Sequence, residues 1–395
     1  MAEYILDTLR FFVDQKLAAG VSALVTQEGK AERFYCAGQA DLQSRRPFAR
    51  DAILRMYSNT KPITAAAVMT LLETGMLPPE TPISRFLPEW KEIKVCVLKE
   101  GKAVLVPARR EITVFDLLTM TSGIPYPAER MGEDPVFNEV NRHYHKAFRH
   151  IAAQEALGRR VSTREVVRLM AGCPLCFQPG DRWMYGFSAD VLGALVEAAT
   201  GKTLGAYMKE RIFDPLGMQD TGFQVPREKH HRITPVYGPD RDGLKRFPKR
   251  KELEMMEEGS FESGGGGLFS TVDDMTRFAR MLLNGGALEG ARVLRPETVK
   301  LMAQNHLTPA QRLGCTWADE DGYGYGYQMR VMLDPSQSKI HESAGSFGWN
   351  GMAGTTMRVD PVRRTTLVFG IQRIPASHEL FLPALTEAVE KELEE

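Results

Sequence analysis

The stretch that most constrains this chain is Ser58-Asn59-Thr60-Lys61-Pro62, with the run Ile63-Thr64-Ala65-Ala66-Ala67-Val68-Met69-Thr70-Leu71-Leu72-Glu73-Thr74-Gly75 behind it. The run is rich in Ala and Leu, which favour helix, and Gly75 is a natural stop. Pro62 is tolerated only in a first turn, so the helix should start close to Ser58. Ser58 and Lys61, three apart, then share one helical face, and the hydroxyl can meet the amine. The positive end of the helix favours negative charge on Ser58 and disfavours a cation at Lys61. That is how a Ser–Lys nucleophile pair is built. The same spacing also arises from a helix cap and a surface lysine, so its meaning depends on the rest of the chain.

With 395 residues the chain can form two domains, or one with an insertion. Its 43% apolar and 25% charged content fits an ordinary globular protein. The formal net charge of +0 gives no basic footprint for nucleic acid. No apolar run reaches membrane-spanning length, so no membrane partner is expected. Acidic residues at Glu3, Asp7 and Asp14 sit where a signal peptide would need basic and apolar ones, so a cytoplasmic location is expected. Five cysteines fit a reducing compartment. Cys173-Pro174-Leu175-Cys176 is a lone C-x-x-C pair, short of the four ligands of a structural zinc site. His143, His145 and His150 read as scattered surface histidines. No metal or cofactor is expected, and the oligomeric state is not legible.

Residues 3–19 carry a helical pattern, and Ser22–Thr26 with Arg33–Ala37 read as a hairpin. From about 78 to 260 helical patterns dominate and strand signals are few. Thr113…Asp116 and Ser162…Glu165 look like capping boxes, Ser188 like the cap of the next helix. Residues 131–160 read as an insertion, and 227–258 as a long, charged, exposed loop. Gly264–Gly267 lack the Lys-Ser/Thr partner of a phosphate loop and suggest close backbone approach. Thr271…Asp274 opens a helix. Strands are expected over 325–334, 352–359 and 365–372, and a closing helix over 377–394. The fold class is therefore α/β (α+β): residues 1–80 and 261–395 form a sheet with flanking helices, and 81–260 a mostly helical insertion.

Two stretches can partner Ser58. Tyr185 lies in a Pro/Gly loop ahead of the helix at Ser188. A tyrosine beside a lysine ammonium can act as general base, although its ring and hydroxyl can equally serve packing. Gly345–Met352 precedes a strand. Gly351 permits close substrate approach, the Met352 N–H can help hold an oxyanion, and Trp349 can supply an apolar wall. A glycine-rich strand entry with a core tryptophan explains the same residues.

Six stretches in order resemble the serine hydrolases of the class C β-lactamase and penicillin-binding-protein-like superfamily, most of all the family VIII carboxylesterases. They are Ser58–Lys61, Leu117–Tyr126, Tyr185–Gly193, Pro215–Thr221, Gly267–Thr271 and Trp349–Gly351. The resemblance implies an antiparallel sheet from both chain ends, a helical insertion and a site between them. It makes Ser58 the acylated nucleophile, Lys61 its partner, Tyr185 the base, and the N–H groups of Ser58 and Met352 the oxyanion hole. Two departures bear on substrate. Tyr185-Gly186-Phe187 stands for Y-x-N, and Trp349-Asn350-Gly351 for K-T-G. The cation that meets a β-lactam carboxylate is thereby lost, and Phe187, Trp349, Asn350 and Gly351 are expected to line a pocket for a short uncharged ester. The G-x-S-x-G esterase signature is absent. An esterase is thus expected. An acyltransferase, a β-lactamase or D-amino-acid peptidase, and an inactive binding module are the alternatives.

Overall fold

The computed structural model describes residues 3–241, 243–247, 261–315 and 322–394. Its centre is an antiparallel eight-stranded sheet built from both ends of the chain. The front supplies β1 (Gly20–Gln27), β2 (Arg33–Asp41) and β3 (Arg46–Pro47). The end supplies β4 (Tyr323–Tyr325), β5 (Arg330–Met332), β6 (Phe347–Asn350), β7 (Thr356–Asp360) and β8 (Thr365–Ile371). The order is β4-β5-β6-β7-β8-β1-β2-β3. The two ends meet where β1 pairs with β8, in register from Val21↔Ile371 to Gln27↔Thr365.

Period-2 alternation puts the two faces of β1 into different cores. Val21, Ala23 and Val25 pack with helix α1 (Tyr4–Asp14) and the closing helix, His378–Glu394. Leu24 points the other way, into the main core. That core also holds helix α2 (Thr60–Glu73), α3 (Ser188–Thr200) and α4 (Val272–Leu283); the closing helix is α5. Every residue of α2 from Thr60 to Leu71 is buried, as expected for a helix apolar on all sides.

Both capping boxes form, at Thr113/Asp116 and Ser162/Glu165, and Thr271 caps α4 through the Asp274 N–H. Ser188 does not cap α3: Phe187 is the N-cap residue, and the Ser188 hydroxyl meets the Ser122 hydroxyl at 2.9 Å. The strand expected over 325–334 is two strands joined by a turn, with Gln328 in a left-handed conformation. The one expected over 352–359 begins only at Thr356, because Met352–Gly354 turn the chain. The middle of the chain holds an unforeseen hairpin, Lys94–Lys99 with Lys102–Pro107. Residues 131–160 are mostly the helix Pro135–Ala156, capped by Asp134. Of the stretch 227–258, Arg227–Arg232 are a short helical turn and Tyr237–Asp240 pairs with Gly243–Arg246; residues 248–258 lie outside the described ones.

Candidate active site

Ser58 sits in a single turn of 3-10 helix, Tyr57–Asn59, that runs straight into α2. The chain enters from the short strand Leu54–Arg55 through Tyr57, whose φ of 44° is left-handed. Such conformations cost about 1–3 kcal/mol and need surrounding support. Here the support is Asn59, whose Nδ2 donates to the carbonyl of Thr355 at 2.9 Å and to its hydroxyl at 3.1 Å. The Gly351 N–H donates to the same Thr355 carbonyl at 2.7 Å. A Cβ at Gly351 would lie 2.3 Å from Thr355 Oγ1 and 2.5 Å from the Met56 carbonyl. Glycine therefore lets the turn carrying Met352 close against the turn carrying Ser58, and the two backbone N–H groups expected at an oxyanion belong to these adjoining turns.

Lys61 is buried, and its ammonium has three acceptors. They are Ser58 Oγ at 3.2 Å, Tyr126 OH at 3.0 Å and the Gly265 carbonyl at 2.6 Å. Its Nζ also lies 4.5 Å from the Tyr185 ring centre. From the other side the Tyr185 hydroxyl reaches Ser58 Oγ at 2.6 Å, and Trp349 Nε1 lies 3.3 Å from that hydroxyl. Ser58, Lys61, Tyr185 and Trp349, distant in sequence, thus meet at one point. Ser58, Tyr185, Trp349, Asn350, Gly351 and Met352 all line a cavity of about 630 Å³.

Phe187 is the exception among the expected pocket residues. Its ring packs edge-on against Tyr126 at 4.5 Å, stacks on Phe148 at 5.1 Å, and is not among the cavity-lining residues. The reason is that Phe187 is the N-cap residue of α3 and turns toward the helix Pro135–Ala156.

Three contributors went unpredicted. Tyr126 stands inside one of the recognised stretches, yet nothing in the sequence marks its hydroxyl as a partner of Lys61. Burial, and then the charge of Asp190, push its phenol well above the ordinary range, so it stays neutral. Asp190, on the inner side of α3, accepts from Ser263 Oγ at 2.5 Å and from the Gly265 N–H at 3.2 Å; burial raises its pKa. A Cβ at Gly265 would lie 2.6 Å from Asp190 Oδ2 and 2.8 Å from Tyr126 OH, which explains one of the four glycines.

The third is Arg330 of β5, buried in the cavity wall with its Nη2 donating to Asn350 Oδ1 at 2.9 Å. The expectation of a pocket with no fixed cation therefore does not hold. Arg358, equally basic and also buried, is instead ion-paired with Glu342 at 2.5 Å. Cys173 and Cys176 are buried thiols, each pushed up to about 12 by desolvation. His145 Nε2 lies against the Ala128 carbonyl at 2.8 Å, and among the described residues no group of His, Cys, Asp or Glu could hold a metal ion. No helix among them is long and apolar enough to cross a membrane.

Residues 7–379 match the family model described as Beta-lactamase. Esterase EstB of Burkholderia gladioli is 31% identical over 368 residues, covering 88% of this chain and 84% of EstB. Monacolin J acid methylbutanoyltransferase of Aspergillus terreus is 30% identical over 268 residues, covering 67% of this chain and 59% of that protein. Among solved structures, EstCE1, described as a hydrolase with promiscuous acyltransferase activity, superposes with a TM-score of 0.79 at 22% identity, covering 98% of this chain and 97% of EstCE1. Family model, relatives and fold agree: the chain belongs to the beta-lactamase family of serine hydrolases.

Proposed function

We propose that this protein is a serine carboxylesterase that cleaves acyl esters through an acyl-enzyme on Ser58. The observation that carries the reading is the Tyr185 hydroxyl 2.6 Å from Ser58 Oγ, with Lys61 Nζ 3.2 Å from the same oxygen. The three hydrogens of a protonated Lys61 each meet an acceptor, so the ammonium is well seated, and it lies against the Tyr185 ring. This favours Tyr185, as phenolate, for the base. Ser58 Oγ attacks the ester carbonyl while its proton passes to Tyr185. The carbonyl oxygen becomes an anion between the N–H groups of Ser58 and Met352. As the tetrahedral intermediate collapses, Tyr185 returns the proton to the departing alcohol. Water then repeats the sequence on the acyl-enzyme and releases the acid. The hydrolase and esterase names of EstCE1 and EstB support this class of reaction.

The second reading is acyl transfer, in which another alcohol replaces water at the same acyl-enzyme. The 630 Å³ cavity, large beside a short acyl chain, favours room for an acceptor, and the transferase relative points the same way. The test of the main reading is Ser58→Ala. It should abolish both p-nitrophenyl butyrate turnover and fluorophosphonate labelling while leaving the thermal transition in place. Turnover that survives without a labelled serine overturns it.

A further inference from the structure

One corner of the cavity holds groups that ester cleavage itself does not use. Arg330 contributes a guanidinium that is only 1% exposed. It is fixed in place by Asn350 Oδ1 at 2.9 Å and by the Tyr323 ring, whose centre lies 4.9 Å from Cζ. Asn350 Oδ1 also accepts from Thr356 Oγ1 at 3.1 Å, so the amide that holds the guanidinium is itself held. His378 lines the same cavity, and its Nε2 is buried with no hydrogen-bond partner among the described residues. Burial first, and the Arg330 charge second, push this imidazole down to about 3, so at neutral pH it is uncharged and offers one N–H. His378 is also the first residue of the 17-residue α5, so the positive end of that helix lies at the same wall. No Asp or Glu is found among the described residues that line the cavity.

A guanidinium fork, an imidazole and a helix N-terminus are all suited to an anion, and the fork matches a carboxylate in shape. The position also makes sense against the departure from K-T-G. Trp349 removes a cation from β6, and Arg330 returns one from the neighbouring β5, where it pairs in register with Gly348.

We infer that this corner is a subsite for a carboxylate carried by the substrate, on its acyl or its alcohol part, and that Arg330 and His378 set the preference for such esters. The inference rests on the Ser58 acyl-enzyme reading and adds the substrate's second functional group.

The experiment has two arms, one for each side of the scissile bond. For the acyl side, inhibition by 3-carboxypropylboronic acid is compared with that by its methyl ester. Each boronic acid adds to Ser58: a boron–oxygen bond forms, the Ser58 proton leaves through Tyr185 to solvent, and boron becomes a tetrahedral anion with nothing oxidised or reduced. For the alcohol side, hydrolysis of the butyrate ester of 3-hydroxybenzoic acid is compared with that of methyl 3-hydroxybenzoate butyrate. In one arm the carboxylate member should be favoured roughly ten- to hundredfold, the range of a charge-assisted contact. Arg330→Gln should bring that ratio toward one. Should the buried Arg330 prove necessary for folding, His378→Leu, at a half-buried position, must still lower the ratio. Ratios of one or less in both arms overturn the subsite, and so does an advantage that outlives both substitutions. If no boronate inhibits and no ester is turned over, the Ser58 reading falls and takes the subsite with it.

Discussion

At the scale of single residues the chemistry depends on how few protons the Ser58 cluster can rearrange. Lys61 is held by three acceptors, Tyr126 stays neutral, and only Tyr185 has both the reach to Ser58 Oγ and a route to the leaving group. Lys61→Ala and Tyr185→Phe should therefore each slow acylation by roughly 10²–10⁴-fold, the value of a positioned proton transfer. The double variant should be little worse than either single one, because groups that act as a unit are not additive. Pre-steady-state release of p-nitrophenol measures this; losses that multiply would mean two independent roles. Ser58 and Lys61 were legible because helix geometry fixes a three-residue spacing. Tyr185 was legible as a loop residue of the right chemistry. Tyr126 was not, since a tyrosine hydroxyl carries no local pattern saying where it points. Phe187 misled for the same reason: its residue type suits an apolar pocket, but its side-chain direction was set by the start of α3 and the aromatic rings behind it.

At the scale of elements, caps and turns decide where the cluster stands. The capping boxes at 113 and 162 and the cap at Thr271 could be read from sequence because they are local and reciprocal. Strand limits could not, because they depend on pairing. Arg330 falls on a strand only because β5 finds β6, and Trp349 belongs to β6 rather than to a loop. The start of α4 shows a local cap recruited for a distant contact. Asp274 Oδ2 accepts from the Asp220 N–H at 2.7 Å and from Thr221 Oγ1 at 2.9 Å, tying the segment after Gly217 to α4. Burial, with Asp220 and Asp273 nearby, raises its pKa from 3.8 to about 6. Between these values the folded chain holds a proton that the unfolded chain has lost. Acidification through that window therefore stabilises the fold at this site, and the burial penalty returns in full above about pH 6. The penalty is of the order of 3 kcal/mol, at about 1.4 kcal/mol for each unit of pKa. In Asp274→Asn the new amide cannot titrate, yet its oxygen can still accept both bonds. The variant should thus lose more stability than the parent between pH 7 and pH 4, read as the difference in urea midpoints. Parallel curves would show that Asp274 is ionised in the fold throughout.

At the scale of the whole molecule, the site exists because the chain's two ends close one sheet. The pairing of β1 with β8 brings the front of the chain, with Ser58, to the end of the chain, with Trp349 and Met352. Composition and order alone suggested this closure, since helix, hairpin and nucleophile come first and strands return last. What they could not supply is how the outer face is sealed. There α1 and α5 lie together over Val21, Ala23 and Val25, with Phe12 edge-on to Phe381 at 4.8 Å. A single carboxylate joins the parts. Glu392 of α5 accepts from the Ile5 N–H of α1 at 3.0 Å and from the Tyr35 hydroxyl of β2 at 2.8 Å. Burial, and then that bond to Glu392, push the Tyr35 phenol up to about 12, so the tyrosine remains a donor across the working pH range. Glu392→Ala leaves a buried N–H and a hydroxyl without their acceptor, which costs about 1–3 kcal/mol for each group left unsatisfied. The urea midpoint should fall accordingly. Glu392→Gln, whose amide oxygen can still accept one of the two bonds, should fall by less. Because Glu392 lies far along α5 from His378 and takes no part in the cavity, kcat/KM for p-nitrophenyl butyrate should not change in either variant under native conditions. A loss of kcat/KM at full folding would mean that the seal at the chain ends also sets the geometry of the Ser58 cluster, and the separation of stability from chemistry argued here would fail.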